Sequence, residues 1–167
     1  MASANAKVFT GADGSITLSP SQGPEGDKAK DVISAYEMLT VGRVQQVRVE
    51  VTSEVKAFHE LGQRYATELR AGNVSISGTI GRAYINGAML KLLLGEAADK
   101  RPAGSWAQPA FNITLLVESP AAPGVTSNIT LHDVKIDDWV YQMPENDFVM
   151  ESVGFQALYL TVEDKAA

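Results

Sequence analysis

The regular alternation of apolar and polar residues in several long segments limits most strongly what this chain can fold into. In VQQVRVEVT (44–52) every second residue from Val47 to Val51 is valine, and polar residues occupy the positions between them. The segment NVSISGTI (73–80) alternates in the same way, with serine and threonine between valine and isoleucine. Successive side chains of a β-strand point to opposite faces, so each segment predicts a strand with one buried and one exposed face.

Strand-like composition recurs along the chain, in 63–70, 111–119, 126–137 and 151–164. The N-terminal segment KVFTGADGSITLSP (7–20) predicts a short hairpin, because its Asp-Gly pair favours a tight turn between two β-prone runs. Near His132 and Asp133 the apolar positions change parity, which predicts a β-bulge at that point.

One segment changes its apolar period from two to about 3.6 residues, which predicts a helix over 82–94. Its apolar face consists of Ile85, Ala88, Met89, Leu92 and Leu93. Gly95 stands where a C-terminal cap is expected. Residues 53–62 predict a short helical turn or an irregular crossing, and 19–31, rich in glycine, proline and charge, predicts a loop or mobile arm.

These elements predict a mainly β fold within a single domain, 1–167. Strands that are not separated by helices favour two packed antiparallel sheets, as a sandwich or open barrel, with one flanking α-helix. Several of the strands pair their apolar face with a face of small neutral polar residues, a composition that suits the wall of a channel.

Composition excludes several classes of function. The chain has no cysteine, and its 14 basic against 20 acidic residues give a formal net charge of -6. Tight binding of nucleic acid needs an excess of basic residues, so a protein that binds DNA tightly is disfavoured. MASANAKVF at the N-terminus has no apolar run, so we expect no secretory leader and synthesis in the cytoplasm.

The glycine-rich turn in SISGTIGRAYINGAMLKLLLG (75–95) follows a strand and precedes a helix, as phosphate-binding loops do. It matches neither the Walker nor the dinucleotide pattern and has no lysine in place, so its glycines are interpreted as architectural.

Titratable residues give no strong sign of catalysis or metal binding. A triad of His132 and Asp133 with Ser127 or Ser119 is disfavoured, because adjacent strand residues point to opposite faces. The five carboxylates between 133 and 148 form no calcium-loop pattern, and a solvated acidic edge is favoured over a catalytic pair. We predict no catalytic residue, no cofactor and no metal.

The order of elements in HELGQRYATELRAGNVSISGTIGRAYINGAMLKLLLG (59–95), together with FTGADGSITLS near the N-terminus, resembles the tail tube proteins of long-tailed bacteriophages. Related tubes occur in contractile injection systems and type VI secretion. The residues that carry the resemblance, and that it marks as fold-defining, are Gly72, Gly78, Tyr84, Ile85, Asn86, Leu92, Leu93 and Gly95; Ile76 also fits the pattern.

The resemblance implies a structural virion protein that forms hexameric rings, in which one sheet of each subunit joins a β-barrel around a lumen. Stacked rings would form the tail tube, which conducts DNA and holds a tape-measure protein. Implied partners are further copies of the chain, baseplate or tail-tip proteins, a terminator and, for the contractile tail that we favour, a sheath; no membrane is implied. The expected location is the virion tail.

Residue roles are carried over as expectations. The lumen-facing set is expected to be Gln46, Arg48, Glu50, Ser75, Ser77 and Thr79. The predicted loop is expected to bridge adjacent rings through Gln22, Glu25, Asp27 and Lys28.

Three alternatives stay open at this point. One is a tail terminator or tube-initiating ring that does not stack. Another is a monomeric β-sandwich that binds carbohydrate through Trp106 and Trp139. The last is an enzyme that uses Asp137 and Asp138.

Overall fold

The computed structural model describes residues 8–165, which form seven strands and two α-helices. The strands are β1 (Gly14–Pro20), β2 (Val44–Phe58), β3 (Glu68–Ala83), β4 (Phe111–Glu118), β5 (Thr126–Gln142), β6 (Met150–Ala157) and β7 (Tyr159–Lys165). The helices are α1 (Pro24–Ala35) and α2 (Ala88–Leu94), and short 3-10 turns cover Gly11–Asp13 and Gly95–Ala98.

The strands form one antiparallel sheet that curls into a half-barrel, in the order β1-β4-β5-β6-β3-β2, with β7 also paired to β5. Strand β5 belongs to both halves of the curl. Its first part pairs with β4 and β7, in what we call half A together with β1. Its second part pairs with β6, which pairs with β3 and then β2, and these form half B. The prediction of a mainly β open barrel is therefore confirmed.

The curl depends on a β-bulge in β5 at the predicted position. Leu131 pairs with Ile113 and Val134 with Phe111, so β5 has one more residue between these pairs than β4. Asp133 lies in the bulge and has a positive φ of 52°. Asparagine and aspartate tolerate this left-handed conformation better than most residues do. The bulge returns the apolar positions on both of its sides to the same buried face, as the parity change predicted.

A single hydrophobic core lies between the apolar faces of the two halves and the helices. Half A contributes Leu18 and Ile113, and half B contributes Ile80 and Phe155, all almost fully buried. Helix α2 adds Leu92, which has no exposed surface. At about 25 cal/mol per Å² of buried apolar area, burial of these side chains stabilises the packing of the two halves against each other and against the helices.

The predictions of a loop at 19–31 and of a helical turn or irregular crossing at 53–62 are wrong, because regular structure continues through both segments. The segment 19–31 contains the end of β1 and most of α1, so it is not a loop over its length. Pro24 begins the helix, acidic residues fill its first turn, and Ala29 and Ile33 lie four apart on its buried side. Proline at the first helical position and carboxylates in the first turn are start signals of a helix.

The segment 53–62, predicted to be a helical turn, instead continues β2 as far as Phe58. Residues 63–67 are not strand, and β3 runs without interruption from Glu68, so the two strands predicted at 63–70 and 73–80 are one.

The other corrections are smaller. No hairpin forms at 8–20, because Gly11–Asp13 is a 3-10 turn and β1 pairs with β4 instead; Lys7 and the residues before it lie outside the described part. The predicted strand 151–164 is divided at Leu158 into β6 and β7. Strand β7 pairs with β5 before the bulge, and β6 pairs with β5 after it. Helix α2 begins at Ala88 rather than near residue 82, and α1 is a second helix beside it.

Candidate functional site: the polar face of half B

The six residues predicted to face a lumen lie together on one exposed face of half B. Gln46, Arg48 and Glu50 on β2 stand opposite Gly81, Thr79 and Ser77 on β3, and Thr52 stands opposite Ser75. The alternate residues of both strands, such as Val47 and Ile80, point towards the core. We call the exposed side the polar face.

Two further strands extend the polar face, and sequence reasoning had not assigned them to it. On β6, Ser152 and Gln156 are exposed and pair with Gly81 and Ser77. On β5, Lys135 and Asp138 pair with Gln156 and Gly154. The signal was present in the sequence, because Ser152, Gly154 and Gln156 alternate with buried Val153 and Phe155.

Both basic side chains of the polar face in the body of half B are paired with carboxylates. Arg48 Nη2 lies 3.4 Å from Glu50 Oε2. Lys135 Nζ lies 2.8 Å from Glu25 Oε2 at the start of α1. The Asp137 carboxylate and the Asp138 Cβ lie beside Gly154, and Gln156 donates a hydrogen bond of 2.9 Å to Asp137 Oδ2. The face therefore offers small polar groups and a slight excess of negative charge.

Because Gly78 has no side chain, β3 can lie close to the Phe155 ring on β6 and to the Arg48 carbonyl on β2. A Cβ atom there would lie 2.3 Å from the Arg48 carbonyl oxygen and 2.6 Å from Phe155 Cζ. Phe155, the direct partner of Gly78 on β6, fills the space that a side chain would occupy. This close contact explains the glycine without any bound phosphate, in line with the architectural interpretation.

The two outer strands of half B have edges that no other described strand covers. Strand β2 ends the sheet and pairs only with β3 among residues 8–165. Within the same described range, β5 from Asp138 to Gln142 pairs only with β6. Unpaired edges of this kind readily accept a strand from another chain.

Beyond the point where β6 ends, β2 and β3 continue alone as a two-stranded extension, which we call the hairpin arm (51–75). The last contact of β3 with β6 is Ile76 with Ala157. Every residue from Val51 to Ser75 is exposed. The arm keeps the alternation of the body, so one of its faces is apolar. That face carries Val51, Val55, Ala57, Leu69, Ala71 and Val74.

A buried ion pair joins β3 and β6 at the other end of half B. Arg82 and Glu151 are direct partners, and each is 2% exposed. Glu151 accepts one hydrogen bond from Arg82 Nε and a second, of 2.9 Å, from Trp139 Nε1. Arg82 Nη2 is buried and has no hydrogen-bond partner within the described chain. The pair fixes the register of the two strands, because a shift by one residue would separate the charges.

Most of the residues marked as fold-defining have identifiable local contacts. Gly72 lies in the bulge of the arm, where a Cβ atom would come within 2.6 Å of the Glu54 carbonyl oxygen. Tyr84 packs edge-on against Tyr141 with ring centroids 4.9 Å apart. The Asn86 side chain accepts a hydrogen bond of 3.1 Å from the Ala88 N–H at the start of α2.

Leu92 is buried and Leu93 half-buried, and Gly95 ends α2 with a φ of 59°. Ile85 is the exception. It lies before the helix and is exposed, so its predicted place on the buried helical face is wrong.

Among residues 8–165, the side chains of the disfavoured triad contact other partners, whereas Asp137 and Asp138 of the enzyme alternative lie next to each other beside Gly154. His132 stacks on Tyr159 and contacts the Thr161 hydroxyl at 3.1 Å, whereas Ser127 donates a hydrogen bond to Asp164. Trp139 is half-buried, while Trp106 is exposed in the connection after α2. Within residues 8–165 no three acidic or histidine side chains are grouped as metal ligands, and no helix is long and apolar enough to cross a membrane.

Comparison with known proteins gives similarity in fold alone. No protein-family model matches the sequence, and no curated protein matches it. Among solved structures, the anti-feeding prophage cap, a tube-terminating cap, aligns with a TM-score of 0.65 at 9% identity over 95% of this chain and 92% of that one. The sheath/tube terminator of an extracellular contractile injection system, PVC, aligns with a TM-score of 0.63 at 8% identity over 94% and 97%.

The SPP1 tail tube aligns with a TM-score of 0.57 at 12% identity over 96% of this chain and 81% of that one. The chain thus has the fold of tail tube and tube-terminating proteins, as the resemblance predicted.

Proposed function

We propose that this chain is the subunit of a phage-type tail tube. Hexameric rings, each with the polar face turned inward, stack into a channel that conducts DNA and holds a tape-measure protein before ejection. The observation that carries the proposal is the polar face itself, which lies on a curled sheet of tail-tube fold and whose two basic side chains in the body of half B are paired with carboxylates. In this assignment the chain is a structural protein of the virion tail and performs no catalysis.

The free edges of half B support ring closure. Strands β2 and β5 form the two sides of the half, and the antiparallel order β2-β3-β6-β5 makes them run in opposite directions. The β2 edge of one copy can therefore pair antiparallel with the β5 edge of the next. Repetition around a ring removes all such edges and extends the polar face into a closed wall.

The charges of the polar face suit a channel through which DNA slides. A polyanion binds where basic groups can displace its counterions. Here Arg48 and Lys135 each have an acidic partner within hydrogen-bonding distance, so the wall presents little positive charge to phosphate. A weakly negative wall does not bind the genome tightly, and DNA can pass along it without losing its counterions.

Electron microscopy of the purified chain over a concentration series tests the assembly. We expect hexameric rings and hollow filaments, whose length increases with concentration. Monomers at every concentration, with no rings on addition of tail-tip components, would reject the tube proposal and favour a binding module that uses Trp106.

A terminator or tube-initiating ring is the second candidate, because the aligned structures include a tube-terminating cap and a sheath/tube terminator. Rings that form at low concentration and never stack would identify the chain as such a protein. A sheath, baseplate or tail-tip partner is proposed on the same basis, and each is tested by adding the protein to preformed tubes.

The role of the paired charges has a separate test. In Glu50→Gln, Arg48 loses its carboxylate partner while the shape of the face is kept. Assembled tubes of this variant are expected to retain more DNA than wild-type tubes in low-salt filter binding. Glu163→Gln, beside Lys165 in half A, is the matched control and leaves retention unchanged. Equal retention by both variants would show that Arg48 does not face the DNA path.

A further inference from the structure

Strand β1 forms one end of the curled sheet, so it competes with β2 for a partner strand from another copy. Among the seven strands only β4 pairs with it, and its buried residues Ile16 and Leu18 give it an apolar face. An edge strand of this kind accepts a further strand unless its outward N–H and C=O groups are covered. An assembly that uses the edges of half B therefore needs β1 to be kept out of it.

The connection between α1 and β2 covers the outward side of β1. We call its residues 38–41 the cover segment. The Leu18 N–H donates a hydrogen bond of 2.9 Å to the Leu39 carbonyl, and the Val41 N–H donates one of 3.0 Å to the Ile16 carbonyl. The cover segment thus occupies the middle of the β1 edge as a short antiparallel strand would.

The two ends of β1 are closed in other ways. Every second residue of an antiparallel strand turns its N–H and C=O to the same side, so Gly14 and Pro20 share the outward direction of Leu18. The Gly14 N–H bonds to the Gly11 carbonyl of the preceding 3-10 turn. Pro20 has no N–H to donate. Together with the cover segment, these features leave little of the β1 edge able to pair with another strand.

Burial holds the cover segment in place between two unfavourable turns. Met38 and Val41 are 4% and 6% exposed and belong to the core. Glu37 and Arg43, on either side, have φ angles of 53° and 59°, a left-handed conformation that is unfavourable for residues other than glycine. Such strain persists only where the surrounding structure maintains it. The core therefore keeps the cover segment on β1 in spite of the local cost.

The cover segment also keeps the half-barrel open. A groove of about 690 Å³ lies between β1 and β2 at the mouth of the curl. Its lining includes Ile16 on β1, Val41 of the cover segment, and Val44 and Val47 on β2. Because the cover segment takes the outward side of β1, β1 cannot pair with β2 of its own chain. The β2 edge consequently stays free for a strand of another copy.

We propose that the cover segment excludes β1 from assembly, stays on β1 in the ring, and so directs pairing between copies to the β2 edge. The proposal rests on the tube function and names the element that selects which edge is used. Strand β2 has no comparable cover over Val44–Phe58 within residues 8–165. Strand β7, the other outer strand of half A, ends in three charged residues, and charge also protects an edge.

A disulfide tests whether the cover segment stays in place, since the natural chain has no cysteine. Thr40 lies directly opposite Thr17, and both side chains are exposed. The two hydrogen bonds flank this pair, and such pairs have Cα atoms about 4.5 Å apart, within reach of a disulfide. Oxidised Thr17→Cys/Thr40→Cys is expected to form rings at the same concentration as its reduced form. Rings that form only after reduction would show that the cover segment must leave β1, and would overturn the proposal.

A proline at position 41 tests what the cover segment prevents. Val41→Pro removes the N–H that bonds to Ile16, and the net loss of one hydrogen bond shifts an equilibrium by up to about 10-fold. Irregular aggregates are expected in place of rings, because the β1 edge becomes available. Val41→Ala, the matched control, truncates the same buried side chain but keeps the N–H, and should form normal rings. Adding Thr17→Lys to Val41→Pro places a charge on the uncovered edge and should restore rings.

Amide hydrogen exchange makes an independent test on the unmodified chain. The Leu18 N–H should exchange slowly in the monomer and equally slowly in rings. Loss of this protection on assembly would contradict the proposal, as would identical behaviour of Val41→Ala and Val41→Pro. If circular dichroism shows that Val41→Pro does not fold, the disulfide and the exchange measurement decide.

The outcomes separate this proposal from the tube function. Rings of the wild type together with normal rings of Val41→Pro would overturn the role of the cover segment and leave the tube function standing. A wild type that forms no rings would reject the tube function. Aggregation of Val41→Pro but not of Val41→Ala would in that case still support the role of the cover segment.

Discussion

The inner and outer parts of the β2–β3 hairpin have the same sequence pattern and opposite surroundings. In the inner part, Val47 pairs with Ile80 and Val49 with Gly78 on the adjacent strand, the valines pack against the core, and β6 provides a third strand. In the outer part, Val55 faces Ala71 with both residues in water and no third strand among the described residues. Alternation thus specifies which side of a strand is apolar, and it does not specify what covers that side.

This difference separates stability from assembly within one hairpin. Substitutions in the inner part should change the free energy of unfolding of the monomer. Equivalent substitutions in the arm should leave that quantity almost unchanged and alter the association of copies. The following predictions are ordered from the largest expected effect on the free energy of unfolding, which is measured by chemical or thermal unfolding below the concentration at which rings form.

Phe155→Ala should destabilise the monomer by about 3–5 kcal/mol, because it removes a fully buried ring that fills the space above Gly78. Val55→Ala, the matched truncation in the arm, should cost no more than about 0.5 kcal/mol, as exposed substitutions do. Similar costs for the two would mean that the arm is packed on its own body in solution.

Glu151→Gln should cost about 3 kcal/mol, because it leaves the buried Arg82 guanidinium without its counter-charge. The arm pair Arg70–Glu68, at 2.8 Å but exposed, is the control: Glu68→Gln should change stability by less than about 0.5 kcal/mol. If the double variant Arg82→Met/Glu151→Leu regained most of the loss, burial of a lone charge would be established as the cause. A loss that persisted in the double variant would assign it to packing instead.

Gly78→Ala should destabilise by about 1–3 kcal/mol, since its Cβ would overlap the Arg48 carbonyl and the Phe155 ring. Gly81→Ala, three residues later in the same strand, has its nearest neighbour 4.0 Å away and should be close to neutral. Thermal melts of the two variants decide the point. Equal melting temperatures would show that the strands can separate at Gly78 without cost.

Val74→Thr should have the smallest effect on unfolding, below about 0.5 kcal/mol, because the side chain is already exposed. It should nevertheless raise the concentration at which copies associate, since it weakens the apolar face of the arm. Sedimentation velocity measures that concentration. If unfolding and association are both unchanged, the apolar side of the arm has no role as an interface.

The elements that sequence patterns predicted correctly are those governed by local alternation. The shared polar side of β2 and β3, the parity change at Asp133 and the glycine end of α2 all follow from the spacing of residue types. Elements whose pattern is weak were missed. Helix α1 has a short apolar side made of Ala29 and Ile33 between charged residues, so composition alone indicated a loop.

The extent of the polar face was harder to predict than its residues. Ser152 and Gln156 joined it because β6 pairs with β3, a contact between segments about 75 positions apart that no local pattern specifies. The predicted β2 was too short because the charged residues between Ser53 and Ala57 were interpreted as part of a turn. In the structure they lie on one side of an exposed strand.

The strand order has a consequence for how the chain folds as it leaves the ribosome. The β2–β3 hairpin is local in sequence, so it can form early, whereas its third strand, β6, and the partner of β1, β4, are synthesised much later. Non-local pairing of this kind is slow, and until β5 and β6 emerge the nascent hairpin exposes apolar side chains along its full length. Nascent chains should therefore bind chaperones during the interval between synthesis of β3 and synthesis of β6. Ribosome-bound chains truncated near residue 120 should bind chaperones, whereas full-length chains should not.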